Sequence, residues 1–365
     1  MFLAVCMLYI AVKGYQANNN YGGSSTIICG IIFLFFSYYN SIFGFFNFPF
    51  TGFMSWWIGI WFILNLIFAL VIRRIMKKLG LNNKDQNVSK SVNLNNSILQ
   101  KFILLMIKDN PYTENISFKM ECVRKSFHLS GLLLVISYFG FFFIPPLLQT
   151  VNENIIIFIN DTKWLYNLLW EDTRDYPYDK NDFQAVIDIT MFGLMGFLVF
   201  AIICELFRII WGPEYSILNF LTRSVLRKKE VNAVGAQIYL ISGIIFSYML
   251  YVVGLIHIYI FMTGMLIACF SDALAALIGR KYGKHKVKCI GGEIKSIEGF
   301  IAGTGSAFLI GFIILGPIYG LIAALIFFLL DYFPTVIADN ILNPIVITVS
   351  LLISVILLGF PIGWF

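Results

Sequence analysis

The stretch "FMSWWIGIWFILNLIFALVIRRIMKK" spans Phe53–Lys78. From Phe53 to Ile72 it carries no charged side chain, and then Arg73, Arg74, Lys77 and Lys78 follow. An apolar run of ~20 residues matches the hydrocarbon thickness of a bilayer. No water is available there, so the backbone must satisfy itself in a helix or a closed barrel. The run is continuous rather than alternating, which points to a helix. The basic cluster at its end marks the cytoplasmic side.

Similar runs recur at Ile31–Phe46 and Ile345–Phe360. Over the 365 residues, 59% are hydrophobic and 13% charged. A soluble domain has about 45–50% apolar and about 25% charged residues. The expected fold class is all-α, a polytopic integral membrane protein with eight to ten transmembrane helices. The candidate spans are about 1–12, 26–46, 53–73, 126–147, 186–210, 233–251, 256–278, 297–314, 316–331 and 344–362. The segment 1–12 reads either as a first span or as an uncleaved signal, with the span preferred.

The net charge of +6 fits basic loops on one side of a membrane and does not call for nucleic acid. Six cysteines form no C-x-x-C pair and no zinc-like spacing. They read as small core residues.

Three sections are expected. Residues 1–80 form an N-terminal membrane section, 81–117 a polar cytoplasmic linker, and 118–365 a membrane-embedded core. Within the core, residues 148–185 form an acidic external loop, with seven acids against three bases. Following the basic clusters from span to span, every cluster of unusual polar residues falls on one face of the membrane, predicted to be cytoplasmic. Independent loop charges would not be so placed. A single site would be.

The clusters are short. In "ECVRKSFHLSG" (Glu121–Gly131), Arg124 and His128 are four apart and share a helix face. Ionisable groups inside spans are costly and face the bundle interior. In "CELFRII", Glu205 and Arg208 are three apart, either a packing pair or an Arg open to phosphate. "VGAQIYLISG" offers small residues for close helix approach.

In "SDALAALIGRKYGKHK" (Ser271–Lys286), Asp272, Ala275, Ala276 and Gly279 form a small-residue stripe with one carboxylate. That acid needs a metal or a basic partner. Gly279, Arg280, Gly283, Lys284 and Lys286 offer backbone access and positive charge to phosphate. The spacing is not that of a P-loop. In "KSIEG" (Lys295–Gly299), Ser296 is placed to cap a new helix whose N-terminus attracts anions. Glu298 either caps that helix or meets phosphate through a metal. "DYFPTVIADNILNP" supplies Asp331, Asp339 and Asn340, hard oxygen ligands suited to Mg²⁺.

Taken in order, "RKSFH", "ELFR", "GAQIYLISG", "SDALAALIGRKYGKHK", "KSIEG" and "DNILNP" resemble the polyprenol kinase family over about residues 120–350. That family includes dolichol, phytol and CTP-dependent diacylglycerol kinases and is related to phosphatidate cytidylyltransferases. The resemblance implies phosphoryl transfer from CTP to a membrane lipid alcohol, with Mg²⁺ or another divalent cation. It implies Arg124, Lys125, His128 and Asp272 as catalytic residues. Gly279, Arg280, Gly283, Lys284, Lys286, Lys295, Ser296, Glu298 and Gly299 are implied as nucleotide-binding. Glu205 and Arg208 support the site, and Asp272, Asp339 and Asn340 are the implied metal ligands. Asp272 is either metal ligand or base, with the metal role preferred. Ser271 departs from the Gly common in relatives, and Asp331 stands where a Glu is common. The expected partners are CTP, the lipid alcohol and membrane lipids. The expected membrane is the endoplasmic reticulum in a eukaryote or the plasma membrane in a prokaryote. A diacylglycerol or phytol kinase, a cytidylyltransferase-like enzyme, and a lipid transporter or flippase are the alternatives.

Overall fold

With apolar side chains on every face, each long run closes its own backbone hydrogen bonds as a helix and presents carbon to lipid. The computed structural model describes residues 1–43, 50–78, 118–119, 121–126, 182–219, 226, 230, 232–290, 294–333 and 335–364, with isolated positions between 149 and 164. Among these residues lie ten α-helices: α1 (Phe2–Gln16), α2 (Asn20–Phe43), α3 (Phe50–Lys78), α4 (Asp182–Ile210), α5 (Ala236–Val252), α6 (Ile258–Leu266), α7 (Asp272–Tyr282), α8 (Ile297–Leu315), α9 (Pro317–Tyr332) and α10 (Asp339–Leu358). The chain is an all-α, multi-pass membrane protein. Among the described residues, six helical stretches are long and apolar enough to cross a bilayer.

Several boundaries differ from expectation. The first helix has 15 residues, about 22 Å at 1.5 Å per residue and so short of a hydrocarbon core of about 30 Å. It packs instead through buried Ala4, Met7, Ile10 and Ala11. The last helix begins at Asp339 rather than near residue 344, with Pro344 inside it. The predicted span 126–147, the linker 81–117 and most of the loop 148–185 lie outside the described residues. Two strands, β1 (Lys286–Lys288) and β2 (Ile294–Ser296), pair antiparallel where a plain basic loop was expected.

Helix α5 is the centre of the bundle and is buried along most of its length. It packs against α2, α4 and α10. Lipid tails are as apolar as leucine, so helices associate through close packing and internal polar contacts. Gly243 shows how. A Cβ there would lie 2.5 Å from Pro344 Cγ and 2.7 Å from the Ile341 carbonyl oxygen. One turn on, Ser247 Oγ donates to the Pro344 carbonyl at 3.1 Å and to Thr348 Oγ1 at 3.2 Å. A proline inside a helix disturbs its hydrogen-bond ladder. The carbonyl that loses its donor is that of Asn340, four residues earlier; the Ser247 bond is to the proline's own carbonyl and pins α5 to α10.

Helices α6 and α7 form one continuous rod joined by a π-turn at Ile267–Ser271. One inserted residue rotates everything after it by about 100°. The π-turn therefore sets the face on which Asp272, the next residue, stands. Helices α8 and α9 form a hairpin turned by Gly316 at φ +93°.

Replacing Gly243 by Val should destabilise the bundle by about 1–3 kcal/mol through overpacking. Thermal unfolding in detergent checks this, with Gly305→Ala as a control, since nothing lies within 4 Å of a Cβ at Gly305.

Candidate functional site

The helical segment 121–126 carries the first charges. Glu121 is fully buried. Its Oε1 lies 3.5 Å from Arg124 Nη1, and its Oε2 lies 3.2 Å from Arg280 Nη2 of α7. The other Arg124 nitrogen, Nη2, is 3.5 Å from Glu230 Oε1. A buried charge is tolerated only when paired. Glu121 thus fastens its own segment to α7 across a long sequence separation.

Lys125 lies on the same segment, and its ammonium donates to Asp272 Oδ2. The Lys125 side chain is 3% exposed and that of Asp272 is 21% exposed. Burial lowers the Lys125 ammonium below its ordinary range, and the Asp272 carboxylate opposes that shift. The acid that sequence reading left in need of a metal or a basic partner has an ammonium beside it.

A second pair joins the two ends of the α8–α9 hairpin. Lys295 Nζ, in β2, donates to the Asp331 carbonyl at 2.6 Å and to Asp331 Oδ1 at 2.7 Å. Asp331 is within electrostatic range of both Asp272 and Lys125. Two carboxylates and two ammonium groups from four parts of the chain therefore share one end of the bundle. Glu121 was not assigned to the site from sequence, and Asp331 was read only as an oxygen ligand, with no cation set against it. Both stand in stretches already singled out, but their partners are remote and spacing does not reveal them.

The Glu205–Arg208 pair forms as the i, i+3 spacing predicts, with Arg208 Nε donating to Glu205 Oε2 at 2.6 Å. A terminal nitrogen of Arg208 also donates to the Ala233 carbonyl. Of the two readings of Arg208, the structural pair is the one formed.

The expected role of the glycines also changes. A Cβ at Gly279 would lie 2.9 Å from Ser296 Oγ and 3.4 Å from Gly299 Cα. At Gly283 it would meet the Gly279 carbonyl oxygen at 2.1 Å, and at Gly299 the Ala275 carbonyl oxygen at 2.8 Å. The room beside these glycines is filled by Ser296 and by α8. They permit a backbone-close crossing of α7 and α8.

Ser296 caps α8, accepting from the Gly299 amide at 3.1 Å, as expected. Glu298 Oε1 accepts from the amides of Lys284 and His285, both at 3.1 Å, and lies 2.8 Å from His285 Nδ1. That oxygen therefore ties down the loop after α7. In the hairpin, Lys286 pairs with Ser296 and Val287 with Lys295. Alternation along a strand puts Lys286 and Lys295 on opposite faces. Lys295 turns in toward Asp331, so Lys286 does not join it.

Arg280 is about one-third exposed, and Lys284 is exposed beside the start of the hairpin. Asp339 and Asn340 open α10, where the neighbouring Ala338 amide donates to Ser25 Oγ at 2.9 Å. His128 lies outside the described residues. Among the described residues, no group of three or more His, Cys, Asp or Glu side chains is arranged to hold a metal ion. Asp272 can offer Mg²⁺ one carboxylate, the sparse protein contribution typical of that ion, with water and substrate phosphate as the other ligands. No family model, curated protein or solved structure matches the chain.

Replacing Glu121 by Ala should cost about 1.5–3 kcal/mol, because Arg124 keeps Glu230 but loses its other buried carboxylate and Arg280 loses its partner. Thermal unfolding reads the loss. Lys284→Ala, at an exposed position, should change stability by less than about 0.5 kcal/mol.

Proposed function

We propose that this chain is a membrane-embedded phosphotransferase that moves a phosphoryl group from a nucleoside triphosphate to a lipid alcohol. The observation that carries the reading is the convergence of Lys125–Asp272 with Lys295–Asp331 at one end of a bundle of apolar helices. A reaction between a charged, water-borne donor and an apolar acceptor needs both environments at one place. The order of the sequence clusters, with their resemblance to the polyprenol kinases, suggests CTP as donor and a polyprenol such as dolichol as acceptor. Diacylglycerol and phytol are the alternative acceptors.

Phosphoryl transfer depends mostly on positioning and charge neutralisation. In this reading the acceptor hydroxyl oxygen attacks the terminal phosphorus. The bond from that phosphorus to the bridging oxygen breaks, and the nucleoside diphosphate leaves. The hydroxyl proton passes to the transferred phosphate or to solvent, which leaves Asp272 as the metal-holding carboxylate, the preferred of its two roles. Lys125 holds that carboxylate in place and faces the transferring group. Lys295 and Lys284 offer positive charge to the remaining phosphates. Asp272 would hold Mg²⁺, which supplies further neutralisation of phosphate charge.

A lipid transporter is the second reading, favoured by the π-turn within the α6–α7 rod and by the internal pairing of its charges. It differs in needing no nucleotide.

The test is purified protein with labelled CTP, Mg²⁺ and a panel of dolichol, phytol and diacylglycerol. Label should pass to at least one lipid. Asp272→Asn should lower the rate by about 100-fold or more, with folding unchanged by thermal unfolding. No labelled lipid from any alcohol, together with no thermal stabilisation by CTP or ATP, would leave the transporter reading in its place.

A further inference from the structure

The hairpin between α7 and α8 has two unlike faces. Directly opposed residues in an antiparallel pair share a face. Lys286 and Lys288 therefore lie on the same side as Ile294, which pairs with Lys288. The opposite side carries Val287 and Lys295, and Lys295 is held by Asp331. The side with Val287 and Lys295 belongs to the site already described; on the other, outer side Ser296 is buried as the α8 cap, while Lys286, Lys288 and Ile294 stand exposed.

That outer face is exposed in an unusual way. Ile294 is 70% exposed, and Ile290, just after β1, is 67% exposed. Lys286 and Lys288 are exposed as well. Neither lysine takes part in an ion pair among the described residues. A β-branched apolar side chain beside an unpaired ammonium is poorly suited to water on every side. It suits the boundary between lipid headgroups and acyl chains, where a cation meets phosphate and a hydrocarbon meets hydrocarbon.

The position of the hairpin fits that environment. The α6–α7 rod ends at Tyr282 and α8 begins at Ile297, and both helical stretches are long and apolar enough to cross a bilayer. The segment joining two such helices over so short a distance must sit at the membrane surface. The exposed apolar positions also continue from the hairpin into α8, through Ile297, Ile301, Leu309 and Ile313. A surface that starts on α8 as its lipid-facing side is extended by Ile294 and Ile290 and is finished by two lysines.

We propose that the outer face of the β1–β2 hairpin docks on anionic lipid, with Ile290 and Ile294 entering the headgroup layer and Lys286 and Lys288 binding lipid phosphates. The occupant is the bilayer of the protein's own membrane. Charge complementarity and the continuity with α8 support it. The proposal does not depend on the phosphotransferase reading. Its mechanical consequence is that lipid charge holds the strand from which Lys295 reaches Asp331.

Hydrogen exchange of the full chain in nanodiscs tests this. One set holds phosphatidylcholine alone, and the other holds roughly one-third phosphatidylserine, enough for a negative surface potential. Amides of the hairpin should exchange about tenfold more slowly in the anionic discs, while amides of α5 do not differ. High salt should reduce the difference, because it screens exposed charge. The double variant Lys286→Gln/Lys288→Gln should abolish it. Equal exchange in the two lipids overturns the proposal, and so does a difference that survives the double variant. A third arm adds CTP or inorganic triphosphate to neutral discs. Protection there that is lost in the double variant would assign the outer face to soluble phosphate and also overturn it.

Discussion

A carboxylate buried inside a membrane bundle must find its cations within that bundle. Glu121 is fully buried between Arg124 and Arg280. Neither lipid nor water can compensate it there. This demand brings segment 121–126 against α7, and the rest of the site follows. Once that segment is fixed, Lys125 is delivered to Asp272 and Arg124 to Glu230. The next pair along, Glu205 with Arg208, reaches Glu230 through the backbone, since Arg208 donates to the Ala233 carbonyl and the Ala233 amide donates to the Glu230 carbonyl at 3.2 Å. Contacts that read as separate clusters along the chain are one connected arrangement in space.

Charge alone does not set the geometry. The crossing of α7 over α8 is close because Gly279 and Gly299 carry no side chains between them. Two helices that touch at backbone distance leave little space for the link joining their ends. That link is a tight hairpin, held by Glu298 on the amides of Lys284 and His285 and by the Ser296 cap. The hairpin register then turns Lys295 inward, and the α8–α9 turn at Gly316 brings Asp331 to meet it. The glycines act on the site at one remove, by controlling how near the helices come.

Much of this was legible in the sequence, for identifiable reasons. Spans are legible because bilayer thickness fixes their length. The Glu205–Arg208 pair and the Ser296 cap are legible because both are local, within one turn of helix. That the polar clusters share one end followed from counting spans against basic residues. The carboxylates that would answer each cation were hidden, because ion pairs between distant segments leave no spacing to read. Glu121 was passed over for that reason, and Asp331 was read as an oxygen ligand rather than as the partner of Lys295. The two faces of the hairpin were hidden because three-residue strands are too short to show a period. The glycines were ambiguous in principle. A bare backbone suits a phosphate and a neighbouring helix equally, and only the packing shows that Ser296 and α8 occupy the space.

The pairing also sorts the charged groups by what they can do. Arg124, Lys125, Arg208, Arg280 and Lys295 each face a carboxylate. A triphosphate entering such a site must compete with those carboxylates. Glu121, Glu205 and Glu230 are buried and cannot turn to water, so the cations they hold are committed to structure. Asp272 and Asp331 retain some exposure. Their bonds to Lys125 and Lys295 are the ones that can open toward an incoming phosphate without stranding a buried charge. On the proposed reaction, the network therefore divides into a scaffold centred on Glu121 and a working pair of lysines. The scaffold half is why the working half stands still enough to be selective.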